Sequence, residues 1–382
     1  MAAEASGAFV RVTPVAAMPP PISDRGPLGW VRAHLLSSKL NIALTLLSLL
    51  VIWWIVPPLL NFLIFDATWT GNDRAACIAT PERPRVGACW AFVWERINFF
   101  VYGFYPIPER WRVDVFFALL AFGIVWLLSP RAPFKKAGAI YFFIALPILS
   151  IVFLLGFAPL GLSYVSTSLW GGILVTIVVS AVGIVFSLPL GVILALGRRS
   201  KMPVVRLLSV VFIEFVRGVP LITVLFMASV MLPLFVPESW SPDKLLRALI
   251  GVALFAAAYM AEVVRAGLQS VPRGQFEGAQ ALGLSYWKMM GLIILPQALK
   301  VTIPNIVNSN IALFKDTTLV FIVGIFDFLR TIEVSRIDPK WATPVTSTTG
   351  YAFAAIFYFL CCWMMSRYAA SVERRLATGH KR

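Results

Sequence analysis

Histidine is almost missing from this 382-residue chain, which has only His34 and His380, and cysteine is limited to four. So few donors leave no metal-ligating cluster, and metal chemistry is not expected. No Gly-Lys pair occurs anywhere, so there is no P-loop to cradle nucleotide phosphates; if ATP drives this chain, another subunit hydrolyses it. The first 40 residues contain no hydrophobic signal core, so a cleaved leader is not expected and the first apolar span should stay as an anchor. The tail Met1–Pro27 is expected to be disordered. Charge is sparse at 13%, and acidic residues (18) are outnumbered by Lys and Arg (33), giving a net charge of +15. The basic residues are scattered between apolar runs, which argues against nucleic-acid binding and for loops held on one side of a membrane by positive charge.

What the chain has in abundance is apolar sequence, at 59% of residues and a mean hydropathy of +0.83. That composition predicts an all-α, polytopic membrane protein. Eight spans are expected at about 41–65, 113–129, 138–160, 169–196, 207–236, 248–264, 301–326 and 350–369. With the N-terminus cytoplasmic, twenty Lys and Arg fall inside and five in the short outer loops; the reverse orientation inverts that bias. Both termini are then cytoplasmic. The long loop 66–112 lies outside and carries Cys77 and Cys89, for which a disulfide on the oxidising side is one possibility. Cys361 and Cys362, within the last span, read as small hydrophobes.

The segment 262–296 is charged and punctuated by glycine. Gln275–Leu282 favours a helix, Gly283 permits a turn with positive φ, and Ser285–Met290 starts a second short helix. Pro296 should end or kink that second helix before the chain re-enters the bilayer. Glu277-Gly278-Ala279, then Gly283 after three residues, then Ile293-Ile294-Leu295-Pro296 after nine, resembles the cytoplasmic "EAA" loop of ABC-importer permeases, with Gly278 in place of the first Ala. Four further stretches, Ser168–Thr176, Glu214–Leu221, Leu295–Lys300 and Lys315–Leu319, resemble the polar amino-acid importers of the histidine/glutamine/glutamate permease group. Glu109-Arg110-Trp111-Arg112, with the extra N-terminal half, looks like the longer permease of general L-amino-acid importers.

The resemblance implies a C-terminal five-helix core of an ABC type I importer permease in a bacterial inner membrane. It also implies partners: a second permease subunit in a heterodimer, two copies of a cytoplasmic ATPase that binds ATP and Mg, a periplasmic amino-acid-binding protein, and membrane lipid. This chain would hold no cofactor and catalyse no covalent step. The expected organisation is a tail over 1–40, a three-helix region over 41–165 with the long outer loop, and the permease core over 166–382. Movement by alternating access, driven through the 262–296 loop, is the expected mechanism. The alternative is a stand-alone ion-coupled transporter using Glu214 or Asp316 as its ion site.

Glu277, Gly278, Ala279, Gly283, Leu295 and Pro296 are therefore the expected coupling residues. Glu262 and Arg265, three apart, and Gly267, read as a second tight turn, are candidates for orienting that loop. Glu214 and Arg217 share a helix face in an apolar span and form either a local pair or a substrate contact; Gly218 and Pro220 should break the helix beyond them. Asn305, Asn308, Ala312, Lys315 and Asp316 define one stripe on the seventh span, with the charged pair about 20 Å from Lys300. Such a stripe should face inward. Lys315 and Asp316 would either meet the carboxylate and ammonium of a substrate or neutralise one another.

Overall fold

A computed structural model describes residues 26–237 and 241–377. The expected tail through Arg25, and His380, Lys381 and Arg382, lie outside these residues. The described residues form sixteen α-helices and a single two-residue strand, Phe326–Asp327. Seven helical stretches are long and apolar enough to cross a membrane. The fifth expected span, 207–236, is instead a broken pair, Pro203–Gly218 and Leu221–Phe235, bent by 108°.

The chain divides into two compact units, Met1–Ala67 and Thr68–Arg382. In the first, α1 (Gly26–His34) precedes α2 (Lys39–Leu60), whose first turn is capped by the Ser38 hydroxyl accepting from the Asn41 amide. Pro57 and Pro58 lie inside α2, and the helix opens at its end into a wider π turn over Asn61–Phe65.

In the second unit, α3 (Trp90–Tyr102) is followed by α4 (Arg110–Leu128), α5 (Lys135–Ile140) and α6 (Leu146–Leu155). Then come α7 (Gly172–Arg198), α8 (Pro203–Gly218), α9 (Leu221–Phe226), α10 (Leu232–Phe235) and α11 (Lys244–Ser270). The chain continues through α12 (Arg273–Ala281), α13 (Tyr286–Met289), α14 (Leu295–Asp316), α15 (Phe328–Ser335) and α16 (Pro344–Ala377). Helices α7 and α11 pack together as the axis of the unit, α14 lies against α11, and α16 against α14.

The region after residue 67 folds rather than loops. Cys77 and Cys89 are bonded and buried, and α3 drives Phe92 and Phe100 into a cluster with Phe328, Ile332 and Trp341 from around α15. Main-chain bonds add to it: the Cys89 amide donates to the Thr349 hydroxyl and the Arg74 amide to the Lys340 carbonyl, both at 2.8 Å. Arg112, nearly fully buried, pairs with Glu109 at 2.6 Å and donates to the Ser163 carbonyl at 2.8 Å, so the Glu109–Arg112 motif ties the start of α4 to the stretch of chain before α7.

Candidate functional site

The 262–296 segment forms the two short helices expected, but its joints differ from the sequence reading. Gly283 has φ +68 between α12 and α13, a conformation that side chains other than glycine rarely adopt. Gly267 is not at a turn. It lies inside α11, where a Cβ would come within 2.6 Å of the Ala298 carbonyl oxygen, so its role is to let α11 and α14 approach. Pro296 neither ends nor breaks the second helix. The helical path from Tyr286 to Val323 runs through, widening into a π turn over Met290–Ile294 that hands the chain to Pro296 in the first turn of α14.

The two helices are anchored on one face and open on the other. Ala279, Met289, Met290 and Ile294 are buried against Val264, Leu268, Val271 and Ala298 of the α11–α14 core. The Gln297 amide donates to the Gln275 side-chain oxygen at 3.0 Å, fastening α12 to α14. Opposite this anchor, Glu277 and Gly278 are exposed, as are Leu282 (76%) and Trp287 (72%). Among the described residues α12 starts after Pro272 without a side-chain cap, so Glu277 does not cap it.

Beside this segment the ends of α7, α8 and α11 share an ion cluster centred on Glu262, whose side chain is only 15% exposed. Its two oxygens receive Arg265 at 2.6 and 2.7 Å and Arg198 at 2.8 Å, with Arg217 at 3.9 Å. Glu214 pairs with Arg198 at 2.7 Å rather than with Arg217, and Arg217 lies over the Tyr259 ring at 5.7 Å. The local pair expected from the three-residue spacing gives way because α8 lies across α7 and α11, which offer both residues longer-range partners. Arg198 carries no signal of its own in the sequence, where it reads as one of four basic residues in a loop.

The polar stripe of α14 does not face the interior of this chain. Asn305, Asn308, Ala312 and Lys315 are exposed and Asp316 half-buried, while Thr302, Leu313 and Phe314 are the residues turned inward. Lys315 and Asp316 form no salt bridge within 4 Å among the described residues, although the Lys315 charge still acts on the Asp316 carboxyl. Glu214 and Arg217 belong to the cluster at the loop end and are not brought together with the α14 stripe.

Residues 187–378 match the family described as "Binding-protein-dependent transport system inner membrane component". The chain belongs to that family. It is a multi-pass inner-membrane protein, and the match begins within α7, so the family core is the second half of the chain. The inner membrane amino-acid ABC transporter permease protein YhdY of Escherichia coli (strain K12) is 48% identical over 92% of this chain and 93% of its own length. The glutamate/glutamine/aspartate/asparagine transport system permease protein BztC of Rhodobacter capsulatus is 41% identical over 98% of this chain and 99% of its own. The shorter glutamate/aspartate import permease protein GltK of Escherichia coli O6:H1 is 33% identical over 54% of this chain but 92% of its own length. Much of the chain that GltK lacks is thus shared with YhdY and BztC.

Proposed function

We propose that this chain is the membrane-spanning permease subunit of an ATP-driven, binding-protein-dependent importer of polar L-amino acids. The observation that carries the reading is the α12–α13 element: fixed to the α11–α14 core on one side, it presents Glu277, Leu282 and Trp287 with no cover on the other. A rigid projection of that kind transmits a push, and an exposed apolar surface of that kind is covered by a partner. The partner proposed is a cytoplasmic ATPase in two copies, which would bind the ATP and Mg. The 262–296 loop and both termini are accordingly placed in the cytoplasm, in keeping with the distribution of Lys and Arg.

The exposed α14 stripe supports a second permease subunit. Ionised groups at membrane depth cost at least about 2.5–3.5 kcal/mol each when they meet lipid, and neutral amides also favour protein or water there. Asn305, Asn308 and Lys315 are therefore assigned to a water-lined path shared with that subunit, where Lys315 would meet a substrate carboxylate and Asp316 an ammonium. A periplasmic binding protein would deliver the amino acid at the opposite end. ATP-dependent closure of the ATPases would shift the bundle between two states, with differential binding supplying the energy. The ion-coupled alternative is disfavoured, because YhdY is itself an ABC transporter permease and this chain matches nearly its full length.

The reading is tested at Gly283. A Cβ there meets nothing within 4 Å in the chain, so Gly283→Ala acts within this chain through the positive φ. The expected result is loss of ATPase co-purification and at least about tenfold slower amino-acid uptake, the equivalent of 1.4 kcal/mol in coupling. Unchanged values of both reject the coupling assignment.

A further inference from the structure

At the loop end of the second unit, Arg198, Arg199, Arg206 and Arg265 line a cavity of about 410 Å³ with Val210 and Gln269. No carboxylate lines it. Two of the four are already neutralised, Arg198 by Glu214 and Glu262 and Arg265 by Glu262. The other two are not: Arg199 donates to the Leu268 carbonyl and stacks over Phe276, and the Arg206 guanidinium has no hydrogen bond or ion pair among the described residues. The cavity thus offers two uncompensated guanidinium groups.

Its wall α8 has a second property. The helix reaches from Gly197, which its Ser209 touches, to Tyr259 and Glu262, which its Arg217 touches, so it lies across the ends of α7 and α11. It then turns by 108° into the next apolar helix. Ile213 and Val216 are buried beneath it, while Val204, Leu207, Leu208, Val211 and Phe215 form an exposed apolar stripe at helical spacing. An amphipathic helix lying across a bundle end, with arginines beside its apolar face, is the arrangement of an interfacial helix.

We propose that this cavity binds the phosphate of an anionic phospholipid, with the acyl chains laid along the apolar face of α8. Guanidinium groups match a phosphate with paired hydrogen bonds, and the adjacent apolar stripe distinguishes a lipid from free phosphate. Arg199 also holds Phe276 of α12, so the lipid would brace the element that meets the partner.

The full-length chain, purified with its partner subunits in detergent and stripped of lipid, is titrated with short-chain phosphatidylglycerol or phosphatidylcholine. Bound lipid is counted by native mass spectrometry. Phosphatidylglycerol is expected to bind in preference; Arg199→Gln and Arg206→Gln should each weaken it about fivefold, from the contribution of one basic residue near an anionic lipid. Lys136→Gln, an exposed basic residue away from the cavity, should leave it unchanged. Equal binding of the two lipids, an equal loss in Lys136→Gln, or inorganic phosphate binding as tightly as phosphatidylglycerol would each overturn the proposal. The count does not depend on transport: a complex that assembles without a lipid preference overturns this proposal alone, whereas a chain that recruits no partner subunits fails the importer reading instead. Arg206→Gln removes no hydrogen bond or ion pair of the described residues, and an unchanged melting temperature in that variant separates lost binding from lost folding.

Discussion

Glu262 is the residue on which most of the local electrostatics converge: three arginines from three helices meet one carboxylate that is largely out of water. Removing the charge leaves Arg265 and Arg217 without an anion and Arg198 with Glu214 alone, and hydrogen bonds to charged groups contribute about 1.5–3 kcal/mol each. Glu262→Gln is therefore expected to destabilise the unit by about 2 kcal/mol, read as a lowered thermal midpoint of the purified chain; an unchanged midpoint denies the cluster a structural role. Asp327 makes the opposite kind of statement. It caps α15 by accepting from the Leu329 and Arg330 amides, and burial pushes its carboxyl from 3.8 to about 7. The folded state then holds a proton that the unfolded chain has lost, so stability should fall as pH rises from about 4 to 7 and level off above. Asp327→Asn should remove that slope, measured by thermal unfolding at pH 5 and 7.5; a slope that persists assigns it to other groups. Gly283 is legible in the sequence because the spacing pattern demands a turn at that position, whereas the role of Gly267 is not, since close approach of two helices leaves no mark in local sequence.

At the scale of elements, the sequence marks helices well and joints unevenly. Gly218 and Pro220 foretell the break between α8 and α9, because a glycine beside a residue that precedes proline pulls the backbone out of the helical region. Pro296 promises the same and does not deliver it, since a π turn just before it absorbs the mismatch and leaves one continuous helix. The direction of the α14 stripe escapes the sequence for a different reason: periodicity shows that polar residues share a face but not whether that face meets its own bundle or another chain. Composition likewise marks 66–112 as a loop, although α3 and the Cys77–Cys89 bond build a buried cluster with α15; the aromatic partners are more than 200 positions away. Within α12, Gly278 stands where the resemblance has alanine. A Cβ at that position meets nothing within 4 Å, so Gly278→Ala should stabilise α12 by about 0.5–1 kcal/mol through backbone entropy. Slower hydrogen exchange at Gln275–Ala281 is the expected sign, and unchanged exchange would mean that tertiary anchoring alone fixes the helix.

At the scale of the molecule, the second unit leaves one surface unfinished. One face of α14 carries Asn305, Asn308 and Lys315 in the open, and setting such groups against hydrocarbon is costly enough that they face protein or water instead. Either a second chain covers them or water does, and in a shared path both occur. The substitution Asn308→Cys distinguishes these from lipid exposure. In a background with Cys361 and Cys362 replaced by alanine, Asn308→Cys in the assembled complex should cross-link to the second permease subunit with a short bifunctional maleimide. The introduced thiol should react more slowly with a bulky maleimide after assembly than in the chain alone. The remaining Cys77–Cys89 bond is buried and does not compete for reagent. If that thiol is instead protected from aqueous reagents equally in both forms, and forms no cross-link, the stripe meets neither water nor a partner. The translocation path would then have to be sought along α7 and α11, the other long helices of the bundle.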